Sequence, residues 1–189
     1  FLMKKNKIDV IKGHGKILSG KKVSVTQENK TEEYQAKHII IATGARSREI
    51  PTIPQDGKKV IGYRQAMVLS KQPKKLIIVG SGAIGIEFAY FYNSMGTEVT
   101  IVEYLDRIIP VEDEEVSKQL ERSFKKSGIK ILTGAEVISI DTKGKGVRAT
   151  VKLGKNKEIL NGDIVLSAVG IKSNIENIGI EDVGIAVDQ

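Results

Sequence analysis

The apolar residues of this chain change rhythm several times, and each change marks an element. "KKLIIVG", residues 74–80, is a short β-branched run bounded by Lys and Gly, as a buried parallel strand reads. Apolar positions then recur at Ile84, Phe88, Phe91, Tyr92 and Met95, which is helical spacing, and Gly96 closes that helix. "EVTIVE" returns to strand. In "PVEDEEVSKQLERSFKKSG" Pro110 precedes a second helix, acids crowd its first turn, and Gly128 stops it. Its expected buried stripe is Val116, Leu120 and Phe124. "IKIL" is a third strand. "EVISID", "VRATVKL" and "KEIL" alternate between "KGKG" and "GKN" turns as a three-stranded meander, and "DIVLSAVG" is a buried strand ending in Gly170. The order βαβαβ, meander, strand predicts an α/β fold built on a parallel sheet.

The front of the chain carries an echo of its end. "EEYQAKHIIIATG" and "EILNGDIVLSAVG", aligned on Gly44 and Gly170, share a polar approach, an apolar run and an Ala-x-Gly close at Ala42 and Ala168. "IDVIKGHGKIL" and "KKVSVTQ" ahead of the first run read as a second meander. Residues 1–50 are therefore expected to be the back part of another dinucleotide domain, with the run ending at Gly44 as its closing strand. Residues 51–73 form the connection, and residues 74–189 are the complete dinucleotide domain. The chain opens on Phe1 and closes on "GIAVDQ", so it is read as a piece of a longer protein.

"GSGAIG" sits between the first strand and the first helix of that domain. Gly80 makes the tight turn, Gly82 lets backbone approach a pyrophosphate, and Gly85 lets helix and strand pack closely. Free N–H groups and the dipole at the helix N-terminus suit the anion. The strand before, the helix after and an acid closing the second strand turn a weak motif into a specific one. That acid is Glu103. A carboxylate there accepts ribose hydroxyls and repels a 2′-phosphate, and the following "YLDR" offers no cation before Arg107, so the pattern favours NAD over NADP. Glu87, placed in the first helical turn, has two open readings: a partner of the helix dipole, or a contact to the nicotinamide half. The acids at 112–115 read as dipole partners of the next helix, so no metal site is expected.

Composition narrows the classes further. The net charge of +7 comes mostly from scattered Lys without interleaved aromatics, a solvated coat rather than a nucleic-acid surface. There is no Cys, which excludes a disulfide scaffold and any thiol nucleophile within the chain. No apolar run nears the roughly 20 residues of a membrane span, and no signal peptide is recognised. A cytoplasmic location is the expectation.

Together "HIIIATGARSREIP", "GSGAIGIEFAYFYNSMGTEVTIVE" and "DIVLSAVGIKSNIENIGIEDVGIAVD" resemble the pyridine nucleotide–disulfide oxidoreductases. Within them the match is nearest to the branch that oxidises dihydrolipoamide. The resemblance covers essentially the whole chain. It implies an FAD/NAD(P)-binding Rossmann-like domain with a partial FAD-type domain at the N-terminus. It implies that Gly80, Ser81, Gly82, Ala83, Ile84, Gly85, Ile86 and Glu87 hold the NAD pyrophosphate and approach the nicotinamide, and that Glu103 binds the adenosine ribose. Val137 packs by the adenine, and Gly170 offers backbone to the nicotinamide half. Thr43, Gly44 and Ala45 match an FAD-contact motif, and Gly15 matches a contact to the FAD adenosine. His14 and His38 match no catalytic position, and no catalytic residue is assigned. Such enzymes pass electrons from dihydrolipoamide through a Cys pair and FAD to NAD⁺, and use a C-terminal His–Glu pair. This chain lacks the Cys and is expected not to turn over alone. The implied partners are the lipoyl domains of 2-oxoacid dehydrogenase complexes or the glycine cleavage system, and a second copy in a homodimer. Alternatives are a CoA-disulfide, mercuric or glutathione reductase, or a non-catalytic NAD-binding module.

Overall fold

Two compact units divide the chain in the computed structural model: residues 46–172, and residues 1–45 together with 173 onward. The structure describes residues 1–188. Gln189, the last residue of the expected NAD domain, lies outside them.

The smaller unit opens with a one-turn helix, α1 (Leu2–Lys5), followed by an antiparallel meander of β1 (His14–Leu18), β2 (Lys22–Gln27) and β3 (Lys30–Gln35). The returning segment ties on through Ile17 N–H, which donates to the Ile178 carbonyl at 2.8 Å, and through an ion pair of Lys16 with Asp182. Its buried apolar residues are Ile178 and Ile180. The meander expectation holds, but the run ending at Gly44 is not a buried strand. Ile40 is 90% exposed, and no strand among the described residues pairs with this run. An extended segment without neighbours has no ladder to hold it.

The division falls within β4 (Ala45–Ser47) and β13 (Ile171–Ser173), and the larger unit contains β5 (Val60–Ile61), α2 (Tyr63–Ala66), β6 (Lys75–Val79), α3 (Ala83–Ser94), β7 (Glu98–Val102), α4 (Glu114–Lys126), β8 (Lys130–Leu132), β9 (Ala135–Asp141), β10 (Val147–Leu153), β11 (Asn156–Gly162) and β12 (Ile164–Ser167). Five of these form a parallel sheet in the order β5-β12-β6-β7-β8. β9, β10 and β11 form the antiparallel meander, and β4 pairs with β13. The strand β5 lies inside the stretch read as a connection; at two residues it is too short for any periodicity to reveal.

The sheet is buried on both faces, and residue alternation says by what. Ile77, Val79, Val102 and Val165 face the meander residues Val137, Val147, Ala149, Val151 and Leu160. Leu76, Ile78, Val99, Ile101 and Leu166 face Ala89 and Tyr92 of α3 and Phe124 of α4. A meander thus replaces a second helical layer. Each such side chain fully buried is worth about 1.5–3 kcal/mol against exposure, before the entropy of ordering.

Both helices turn most of the expected stripe inward: Ile84, Phe88 and Tyr92 of α3 and Leu120 and Phe124 of α4 all pack on the core, and the exceptions lie at the edges. In α3 the buried residues are Gly85, Ala89 and Tyr92, whereas Phe91 and Met95 are exposed. Small residues at 85 and 89 let the helix approach the sheet closely, with Ile84 and Phe88 packed beside them against the same core. In α4 Ser117 and Phe124 are buried and Val116 is exposed. Ser117 turns inward because its Oγ donates to the Ile108 carbonyl at 2.7 Å. Among the described residues no helix is long and apolar enough to cross a membrane.

Candidate functional site

Strand β6 lies between β7, which continues the sheet on one side, and β12, which continues it on the other. At such a point the chain leaves in opposite directions and a crevice opens beyond the strand ends. "GSGAIG" occupies that crevice. Gly80 takes φ +98, and its N–H donates to the Val102 carbonyl at 2.9 Å; a β-carbon there would lie 2.5 Å from the Ala168 carbonyl oxygen. At Gly85 a β-carbon would lie 2.1 Å from the Gly80 carbonyl oxygen. Gly82 is different: its φ is −67, and a β-carbon would meet nothing within 4 Å. Two of the glycines are demanded by the protein, and the third leaves space beside the start of α3. No side chain caps that helix start, and the first turn's N–H groups have no partners within the helix.

The space continues into a cleft of about 820 Å³, entirely within the larger unit. Gly80, Ser81, Gly82, Ala83, Ile84, Glu103, Val137 and Gly170 all line it, so most residues singled out from the sequence converge on one place. Ile53, Val79, Val102 and Val137 give it an apolar floor, and Arg48, Ile50 and Thr52 form a further wall. Gly85, Ile86 and Glu87 are not part of the lining. Gly85 packs under Gly80, Ile86 packs against the helical core cluster, and Glu87 is exposed beyond the first turn rather than in it. The Gly170 carbonyl already accepts the Arg48 N–H at 2.9 Å.

Glu103 is 7% exposed and held by three donors: Ser81 N–H at 2.8 Å and Ser81 Oγ at 2.6 Å on Oε2, and Leu105 N–H at 2.9 Å on Oε1. Its own backbone is fixed by Leu132 and Ala135. The first cation downstream, Arg107, turns away and donates to the Pro110 carbonyl at 3.0 Å. Ile109 N–H donates to the Ser81 carbonyl at 3.0 Å, with Ile109 at φ +40. The roles of Leu105, Ile109 and the wall at residues 48–53 carry no motif; a buried Ile53 inside a presumed connection was their one trace.

The residues matched to FAD contacts lie in the smaller unit and are held by different partners. Gly15 sits in the β1–β2 ladder opposite Val25. The Thr43 and Gly44 carbonyls accept from Asn174, through its side-chain amide at 3.1 Å and its N–H at 2.9 Å, and Ala45 begins β4. His14 Nε2 lies 3.1 Å from the Asn177 carbonyl, a structural contact. No group of three or more metal-binding side chains occurs among the described residues.

A family model described as pyridine nucleotide-disulphide oxidoreductase matches residues 1–189. The chain belongs to that family. Among pyridine nucleotide-disulphide oxidoreductases it is 44% identical over 192 residues to a dihydrolipoyl dehydrogenase of Zymomonas mobilis and 42% over 205 residues to one of Rhizobium etli. Both alignments take in the whole chain, but only 41% and 43% of those relatives. The crystal structure of LpdA from Mycobacterium tuberculosis superposes with a TM-score of 0.85 at 30% identity, over 99% of this chain and 42% of that one. The parallel five-stranded sheet is thus the Rossmann-like sheet of the flavoprotein disulphide reductases, and the chain spans about two fifths of its relatives' length.

Proposed function

We propose that residues 74–189 are the NAD-binding domain of a dihydrolipoyl dehydrogenase, with residues 1–50 as part of its FAD-type domain and 51–73 as the connection. The observation that carries the reading is the open cradle at Gly82 beside a buried, acceptor-only Glu103.

The residues fit the cofactor. Backbone N–H groups at the start of α3 would hold the pyrophosphate, with Gly82 leaving room for it. Glu103 would accept ribose hydroxyls and refuse a 2′-phosphate, and Arg107 is already engaged elsewhere. Val137 would pack on the adenine, and the backbone around Gly170 would border the nicotinamide half. When bound, NAD⁺ supplies a hydride acceptor. Everything this chain adds is binding, orientation and exclusion of water by the apolar floor. Gly15, Thr43, Gly44 and Ala45 would form only a rim of a flavin site.

In the whole enzyme the substrate is protein-bound dihydrolipoamide. The partners are lipoyl domains of 2-oxoacid dehydrogenase complexes or of the glycine cleavage system, the assembly is a homodimer, and the compartment is the cytoplasm. With no Cys in the chain, the 189 residues alone form no NADH from dihydrolipoamide.

The deciding experiment is thermal unfolding with NADH against NADPH. A ligand at 100 times its Kd stabilises by about 2.7 kcal/mol, a shift of several degrees at this size. NADH raises Tm and NADPH does not; equal shifts, or none, refute the reading.

A further inference from the structure

Ser81 lies in the phosphate-binding loop by sequence, yet it is 0% exposed and its side chain is turned onto Glu103. Its Oγ and its N–H both donate to one carboxylate oxygen, Oε2, while Oε1 takes a single bond from Leu105 N–H. The Ser81 carbonyl accepts the N–H of Ile109, a β-branched residue held at φ +40 where such residues rarely sit. Ser81 is therefore fixed through its hydroxyl, its N–H and its carbonyl, all by the segment that follows β7.

An ionised carboxylate has about four acceptor directions. Three are filled by protein donors, two of them on Oε2. The remaining capacity is concentrated on Oε1. With its N–H spent on Glu103, Ser81 has no donor left for a phosphate.

We propose that Ser81 is a positioning residue for nucleotide selectivity: it saturates Oε2 so that Glu103 presents Oε1 alone to a vicinal diol. An unmodified ribose has a hydroxyl donor for the one direction left on that oxygen. A 2′-phosphorylated ribose brings only acceptors at the same place and meets a fixed negative charge. This rests on the nucleotide-binding reading above. It moves Ser81 from the pyrophosphate contacts, which both nucleotides share, to the ribose end, where they differ.

The test measures Kd for NADH and NADPH by calorimetry on the 189-residue chain and on Ser81→Ala. In Ser81→Ala the carboxylate loses its alignment on the ribose, and loss of that one ribose hydrogen bond to a charged group weakens NADH binding about tenfold, with NADPH affinity little changed, so the NADH preference falls by the same factor. Ser81→Cys, which keeps a weaker donor, gives an intermediate preference. In a Glu103→Gln background Ser81→Ala changes the preference no further. A wild-type chain without NADH preference overturns both the NAD reading and this inference. A wild type that prefers NADH, with Ser81→Ala keeping its ratio or losing both affinities equally, overturns only the inference, because Ser81 then acts on the shared pyrophosphate or on folding.

Discussion

A β-carbon on Gly85 would stand 2.1 Å from the carbonyl oxygen of Gly80, so helix α3 and strand β6 meet through bare backbone. Gly85→Ala forces one of the two to move. It should destabilise the chain by about 1–3 kcal/mol and lower Tm by several degrees. Gly82→Ala, with nothing within 4 Å of the new methyl group, should leave stability within about 0.5 kcal/mol. Its cost falls on nucleotide affinity instead. Melting curves with and without NADH separate the two glycines; equal loss of stability in both variants contradicts the division of roles.

Tyr92 is buried under α2, with its hydroxyl donating to the Ala66 carbonyl at 2.6 Å, and burial pushes its pKa above the ordinary 10.0. The native state therefore favours the protonated phenol. The stability this contributes is fully present below pH 10 and is lost as pH rises through the elevated native value. Tyr92→Phe should lower stability at neutral pH by about 1 kcal/mol through the lost hydrogen bond. It should also flatten the fall in Tm between about pH 9 and 11. A variant with the same alkaline slope as wild type rules out this residue as the cause.

Asp113 caps α4, its Oδ1 accepting the Glu115 N–H at 2.8 Å. Asp113→Ala should cost about 1 kcal/mol, and Asp113→Asn only a few tenths, because an amide oxygen still accepts. Breaking the exposed Glu114–Lys118 and Glu121–Lys125 pairs on the same helix should cost less than losing the cap, because solvent screens both. Chemical denaturation of the four variants checks that ranking.

Lys59, next to β5, reaches the turn between β9 and β10, donating from Nζ to the Thr142 carbonyl at 2.6 Å and the Gly144 carbonyl at 2.5 Å. Lys59→Met keeps the alkyl stem and removes both bonds. Amide exchange at residues 142–146 should accelerate while the β6–β7 ladder keeps its protection. Uniform acceleration across the unit points instead to a global loss of stability.

Much of the larger unit was legible because its strands are continuous β-branched runs and its helices have clear stops. The glycine motif was legible because the turn from β6 into α3 needs bare backbone at Gly80 and Gly85, and Glu103 because it closes the next strand. The misreadings have physical causes. The stripes of α3 and α4 were right at Ile84, Phe88, Tyr92, Leu120 and Phe124 and too wide at Phe91, Met95 and Val116, because close approach at Gly85 and Ala89 and a hydroxyl bond at Ser117 centre each buried face. The run ending at Gly44 has the composition of a strand, and among the described residues no strand pairs with it. The Ser81–Glu103 bonds were invisible because sequence gives two positions and not the direction in which a hydroxyl points.

β12 slots between β5 and β6, pairing Val165 with Val60 and with Ile77. Its partners on one side are about a hundred residues earlier in the chain, so this pairing carries a large loop-closure cost. During synthesis the ladder of β6, β7 and β8 can assemble as soon as Lys130–Leu132 has emerged. β5 must wait beside an empty slot until Ile164–Ser167 leaves the ribosome. The wall of the cleft at residues 168–171 follows directly on that strand. The cleft is therefore complete in a nascent chain only once residues 168–171 have emerged, and until then the glycine loop stands without its opposite wall.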